Sequence, residues 1–405
     1  MQGKRDNFIS RLRLVVNVDN TQFMHVAVVL MSLSAVIWLS YEFWRLLLQP
    51  NPPGALDLML RFTETRLWFA GQPVYEIEKT GVYPPASYLL LWPFVGWLNS
   101  THARWLWALT SVLALAWLID LFLRESHAQT RLEKAFIILI PLATYGAGAC
   151  IGNGQLILHV LPCLGASLLF LAKAQGRWKD DLLASSLFVA ALVKPIVTAP
   201  FFWILLFRPG RIRPAVLVVC GYITITLISG SFQDSGIVAL MQDWLARSRE
   251  ELMHNAILYS HGNLHSLLAT FGLERWTPVS SLIALMALGV WMYFNKKADI
   301  WLLIGVAGCV SKFYTYHGWY DDAILALPMV CLFRMSKEDV LGSTYCGYAG
   351  FLLVLSLAVM IAPGGTYLVP PPWNMVFVGI QSLVWLTILA FLLGYARKCK
   401  MRPEE

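Results

Sequence analysis

The side chains able to do chemistry are few, and they sit between apolar runs. Asp57 and Glu64 are carboxylates interleaved with the guanidinium groups of Arg61 and Arg66. Lys194 stands immediately before Pro195 in an otherwise apolar stretch, and Lys312 and His317 bracket the aromatic run Phe313-Tyr314-Thr315-Tyr316. A carboxylate can take a proton from a hydroxyl, a guanidinium fork holds phosphate well, and an imidazole can orient a leaving group. Each residue also has a blander account. Asp57 precedes Leu58-Met59-Leu60 and reads equally as a helix N-cap, and Glu64 pairs naturally with Arg61 on a helix. Lys194 can snorkel, and His317 can belong to an interfacial aromatic belt. Asn153 and Gln155 lie in the tight turn Gly152-Asn153-Gly154-Gln155, while Asn263, His265 and His261 read either as contacts or as ordinary loop polars.

The elements that must position these residues are membrane helices. Of the 405 residues 58% are apolar and only 14% charged, and runs of about 17 to 25 residues are almost free of charge. The chain therefore reads as all-α and polytopic, a single membrane domain over 1–405 with no soluble domain added. The net charge of +7 resides in short connectors, where it reports orientation and contact with anionic lipid; no nucleic-acid partner is expected. The seven cysteines are scattered without paired spacing and read as packing residues. The basic, amphipathic Met1–Asn20 segment reads as the cytoplasmic start of a retained first helix.

Ala86 to Leu98 decides the topology. It is apolar, but it is shorter than the ~17 residues a span needs and contains Pro93. If it crossed, the basic connectors Arg124–Lys134, Arg208–Arg213, Asn295–Asp299 and Arg334–Asp339 would all lie opposite the N-terminus. If it does not, all of them lie with it and with Arg397–Arg402, as the positive-inside rule requires. It is thus expected to be an interfacial or re-entrant helix in a long extracytoplasmic loop over 48–100. The expected spans are 23–47, 102–123, 135–151, 155–173, 181–193, 196–207, 214–232, 264–295, 299–313, 320–333, 344–362 and 374–394, about twelve, with both ends cytoplasmic. The pair meeting at Lys194-Pro195 is a broken helix, and 233–263 is a second outer loop.

A long first outer loop with an early acidic residue, interfacial helices and about a dozen spans resembles the GT-C glycosyltransferases, and more narrowly glycosyltransferase family 87. The stretches that carry the resemblance are Asp57 with Gly71-Gln72-Pro73-Val74-Tyr75 and Tyr83-Pro84-Pro85; Gly152-Asn153-Gly154-Gln155; Lys194-Pro195; Asn263-Leu264-His265-Ser266; and Ser311 to His317. The resemblance implies a GT-C bundle that moves a sugar, mannose by the family's best-known members, from a polyprenyl-phosphate donor to a lipid-linked or glycan acceptor outside the cytoplasmic leaflet of a bacterial cell membrane. It implies inversion at the anomeric carbon and assigns the base to Asp57, with Glu64 as fallback. Donor-phosphate contacts are expected from Lys194, Lys312 and Arg61 with His317, and substrate contacts from Glu64, Tyr83, Asn153, Gln155, Asn263 and His265. Lys312 and Tyr316 stand where the family usually has proline and tryptophan, a departure in the loop that carries His317.

No phosphate-binding glycine loop, dinucleotide fingerprint, zinc spacing or nucleophile elbow occurs, in keeping with a lipid-linked donor. The adjacent Asp321-Asp322 pair resembles a metal-binding motif only superficially, and neither metal nor cofactor is expected. A transporter or lipid flippase is the alternative, since it too would have about twelve spans, broken helices and an intramembrane lysine. Against it, polarity is concentrated in the outer loops and no internal repeat is evident.

Overall fold

A computed structural model describes residues 21–173, 176–210, 212–258 and 262–401; the Met1–Asn20 segment, His261 and Arg402 lie outside the described residues. The described chain is helical, without strands; Thr144 and Ile361 form an isolated antiparallel bridge. In order, α1 (Thr21–Leu47) leads to a compact segment of α2 (Leu56–Phe69), α3 (Val74–Ile77) and α4 (Pro85–Val95). Next come α5 (Ser100–Glu125), α6 (Arg131–Ala143), α7 (Tyr145–Asn153), α8 (Ile157–Lys173), α9 (Trp178–Ala191), α10 (Pro195–Leu206) and α11 (Arg213–Gly230). The chain continues through α12 (Ile237–Leu258), α13 (Leu264–Thr270), α14 (Thr277–Phe294), α15 (Ile300–Phe313), a 3-10 turn at Asp321–Leu325, α16 (Ala326–Lys337), α17 (Ser343–Met360), α18 (Gly365–Leu368) and α19 (Trp373–Met401).

Among the described residues, six helices are long and apolar enough to cross a membrane: α1, α5, α11, α14 with its 3-10 lead-in from Glu274, α17 and α19. The other expected spans are built from shorter pieces. The 135–151 stretch is two helices, parted where Thr144 takes an extended conformation. The 181–207 stretch is parted at Lys194, as the following proline dictates. The 264–295 stretch is likewise parted into α13 and α14, and 320–333 begins with the 3-10 turn. Pro85–Val95 is an 11-residue helix, matching the expected short element in the first loop.

The 233–263 segment is more ordered than a loop, because α12 runs for 22 residues. Its charges mask an apolar stripe. Leu240 joins Trp68, Val74, Tyr75 and Tyr88 in a small core of its own, and the indole of Trp244 donates to the Val82 carbonyl at 2.9 Å. Trp68 stacks on Tyr88 with ring centres 4.7 Å apart and donates to the Ser229 carbonyl at 3.0 Å. The α2–α4 segment is therefore clamped between α12 and the end of α11.

Ion pairs gather the basic connectors at one end of the bundle. Lys337 reaches Glu133 at 2.9 Å, His127 meets Glu338 at 2.8 Å, and Lys173 pairs with Glu125. Tracing α1, α5 and α8 from that end carries the chain to the opposite one, where Arg45, Asn99 and Gln155 lie.

The turn after α7 is a tight junction there. Gly154 has φ of 72°, and a Cβ on it would run into the Leu58 side chain of α2. Gly154→Ala is expected to cost about 2–4 kcal/mol, from left-handed strain and overpacking together. Gly394→Ala, which meets nothing within 4 Å, is the control. Unfolding titrations in detergent, with helical signal as the readout, would measure the difference.

Candidate active site

Small residues bring the site together. Helix α7 reads Tyr-Gly-Ala-Gly-Ala-Cys-Ile-Gly-Asn, a composition that lets backbones approach closely. A Cβ on Gly146 would stand 2.8 Å from the amide nitrogen of Ala323, so the 3-10 turn packs directly on α7. At the far end of α7 the amide of Gln155 donates to the Cys150 carbonyl at 2.7 Å, closing the helix, and the amide of Ala55 donates to the Gly152 carbonyl at 3.1 Å. These contacts lay the start of α2 on the Gly152–Gln155 turn. Asp57 is not the N-cap: that position is Ala55, in left-handed conformation, and no side chain caps the helix. The Asp57 carboxylate instead takes a hydrogen bond from the Gln155 side chain.

Lys194 approaches from the other side. Its backbone is non-helical at the start of α10, and the hinge is fixed by the Ser87 hydroxyl, which donates to the Val193 carbonyl at 2.8 Å. The buried ammonium ion-pairs with Asp321, donates to Gln155 Oε1 at 3.1 Å and lies 5.0 Å from the centre of the Tyr320 ring. Asp57, Gln155, Lys194 and Asp321 thus form one continuous cluster.

Asp322, next in sequence, serves different partners. It accepts from Lys312 Nζ at 2.6 Å and pairs with His317 Nε2 at 3.0 Å, while the Tyr145 hydroxyl donates to its other oxygen. Gln381 of α19 donates in turn to the Tyr145 oxygen at 2.6 Å. Lys312 and His317 are therefore buried and committed to Asp322. Sequence reasoning gave the two aspartates no role. The signal was available, because two lysines expected in apolar surroundings need counter-charges, and Asp321 and Asp322 are the acidic residues beside the aromatic turn.

Arg61 and Glu64 form the ion pair expected at their spacing, at 2.8 Å, and both are buried. The Arg61 guanidinium also lies 4.4 Å from the Tyr83 ring centre, and the Thr80 hydroxyl donates to Glu64 at 3.2 Å. Burial pushes the Glu64 carboxyl up to about 7 in spite of Arg61. Burial likewise raises Asp57 above the usual carboxylate range; its hydrogen bond to Gln155 and the charges of Arg61 and Lys194 oppose the rise, and Asp321 adds to it.

The remaining expected residues are distributed less centrally. Asn153 accepts from Arg45 at 2.9 Å, and Arg45 in turn pairs with buried Glu42 at 2.7 Å, so the turn is braced from α1. Glu42 and Arg45 were missed although both are charges within an apolar run, a pattern that signals function or fixed pairing. Asn263 caps α13 in a reciprocal arrangement with Ser266, and His265 shares a 2.7 Å hydrogen bond with the Ser281 hydroxyl. Asn263 borders a separate, largely apolar cavity of about 700 Å³ between α13, α14, α15 and α19. Among the described residues no group of three or more His, Cys, Asp or Glu side chains could hold a metal ion.

A multi-pass helical membrane protein emerges, with a charged, largely buried site at the end of the bundle remote from its basic connectors. The chain matches the model of glycosyltransferase family 87 over residues 82–315, more than half its length, and belongs to that family. It is accordingly a membrane glycosyltransferase. No curated protein and no solved structure matches it. The matched region contains Tyr83, Asn153, Gln155, Lys194, Asn263, His265 and Lys312; it begins after Asp57, Arg61 and Glu64 and ends before His317 and the aspartate pair.

Removing one member of a buried pair strands the other, at about 3–5 kcal/mol. Lys312→Met is expected to destabilise by that order, and Lys312→Met with Asp322→Leu by less than the single change. Asp120→Asn, which breaks the exposed pair with Arg124, is expected to stay within about 1 kcal/mol. A double-mutant cycle on unfolding free energies would test both.

Proposed function

We propose that the protein transfers mannose, with inversion, from a polyprenyl-phosphate donor to a hydroxyl of a lipid-linked or glycan acceptor, with Asp57 as the base. The observation that carries this reading is the unequal exposure of the carboxylates. Glu42, Glu64, Asp321 and Asp322 are buried, the first three beside a cation and the last between two, whereas Asp57 is only half-buried. A base must reach a substrate proton, and Asp57 can.

In the proposed step the acceptor oxygen attacks the anomeric carbon as its proton passes to the Asp57 carboxylate. The bond from that carbon to the phosphate oxygen breaks, and its electron pair leaves with the phosphate. A single displacement inverts the centre. Lys194, in the same cluster as the base, is proposed to face the phosphate as charge builds on it. Arg61 is proposed to support it from the α2 side, stacked on Tyr83. Lys312 and His317, held on Asp322, are proposed to fix the aromatic turn against the donor and keep positive charge near the leaving group. Asn153 and Gln155 belong to the turn on which the base rests, and Asn263 and His265 are proposed to lie toward the acceptor.

The chain is proposed to traverse the membrane twelve times as one domain, with the short helices completing the crossings in protein-lined surroundings. The gathered basic connectors would then face the cytoplasm of a bacterial cell, with both termini, and the Asp57 end would face outward. Membrane lipids surround the bundle, and no cofactor takes part.

Asp57→Asn is expected to lower turnover of labelled polyprenyl-phosphate mannose at least about 100-fold with folding unchanged. Retained turnover would remove Asp57 from its role. A base acts when ionised, and burial raises this one above its ordinary 3.8. Activity should therefore fall with decreasing pH through a midpoint above that value, as a pH–rate profile would record.

A further inference from the structure

Gln155 is buried, and both ends of its amide are engaged. Its oxygen accepts from the Lys194 ammonium at 3.1 Å, and its nitrogen is the end left to donate to Asp57. A residue so placed is held at both its acceptor and its donor end. Asp321 is equally committed: one oxygen pairs with Lys194 and the other accepts from the Gly318 amide at 3.2 Å. The Lys194 ammonium is thus held between Asp321 and Gln155, and Gln155 lies between it and Asp57.

We infer that Lys194, Gln155 and Asp321 form a fixed relay behind Asp57, in which Gln155 and Asp321 are positioning residues that orient the carboxylate and govern when it is ionised. The inference rests on the reading of Asp57 as base and extends it. An amide that must accept from an ammonium can present only its N–H group on the other side, so Lys194 fixes the orientation of Gln155. The donated N–H favours the ionised carboxylate, and Asp321 offsets the attraction of Lys194 for it. Without Asp321, Asp57 would be a weaker base, ionised by the uncompensated lysine.

The other groups acting on Asp57 are Arg61 on its own helix, Cys150 of α7, Tyr83 before α4, and Tyr316 and Tyr320 of the aromatic turn. Arg61 is engaged with Glu64, and burial pushes the Tyr83 hydroxyl further above its ordinary range. Within the relay, Gln155 and Asp321 act on Asp57 in opposite directions, so replacing each should move it oppositely.

The test is an infrared titration of the full-length protein in detergent, following the carboxyl band that disappears in Asp57→Asn. Gln155→Glu keeps an acceptor for Lys194 but sets a carboxylate beside Asp57, and should raise the midpoint by about 1 unit or more. Gln155→Met removes the donor without adding charge and should raise it by less. Asp321→Asn removes the offsetting charge and should lower it by about 1 unit. If Asp321→Asn does not fold, Lys194→Met with Asp321→Leu removes both charges together and should raise the midpoint, because Lys194 acts on Asp57 more strongly than Asp321 does. The acid limb of the pH–rate profile with polyprenyl-phosphate mannose should move in the same directions. Midpoints that do not move, or that move the same way in Gln155→Glu and Asp321→Asn, would overturn the relay. Turnover retained by Asp57→Asn would instead overturn the base assignment, while the titration still reads whether the relay acts on that carboxyl.

Discussion

Taking an ion out of water costs several kcal/mol, and leaving it unpaired costs more than the pair returns. The polar end of this bundle is organised by that constraint. Lys194 has Asp321, Lys312 and His317 have Asp322, Arg61 has Glu64, and Arg45 has Glu42. The Lys194 pair joins elements distant in sequence, Lys312 and His317 tie the aromatic turn to the 3-10 turn, and the two arginine pairs each stiffen a single helix turn. The helix break at Lys194 serves its pair. An uninterrupted helix through 181–207 would carry Lys194 past Asp321, whereas the proline hinge stops the chain where the ammonium is met.

Pairing also explains why the glycines lie where they do. A charge pair is held well only if its backbones are close, and α7 allows this by having almost no side chains on the faces it turns to α1 and to the 3-10 turn. Trp38 fills the space over Gly148, and its indole donates to the Tyr145 carbonyl at 3.3 Å. The ring, the carbonyl and the Tyr145 hydroxyl then connect α1, α7, the aspartate pair and α19. Function and packing share the same residues here, so the site has little freedom to shift as a unit.

Much of this was legible in the sequence. Apolar runs and the positions of Lys194-Pro195 and Ala86–Leu98 gave the helices and their main interruptions, because hydropathy and proline act locally. The basic connectors gave their common end, because charge is excluded from the bilayer wherever it occurs. What could not be read was pairing across the fold. Asp321 and Asp322 are neighbours that address different lysines, and nothing in their spacing says which. Thr144 breaks a helix through contact with Ile361, more than two hundred residues away, and α12 conceals its apolar stripe under charges that face outward. Asn263 and His265 have local partners, a cap and a serine, and local satisfaction leaves no mark in composition.

The two adjacent aspartates have a consequence for how such a sequence can diverge. Because Asp321 and Asp322 point to separate partners, their order along the chain encodes which helix each one ties. Side chains around them can be exchanged one at a time, with losses that a neighbour can absorb. Inserting or deleting a single residue between Lys312 and Asp321 would instead displace both ties together, leaving two lysines without their counter-ions in one event. Apart from His317, the segment between Lys312 and Asp321 should therefore vary in identity while holding its length, the reverse of what is usual for a surface loop.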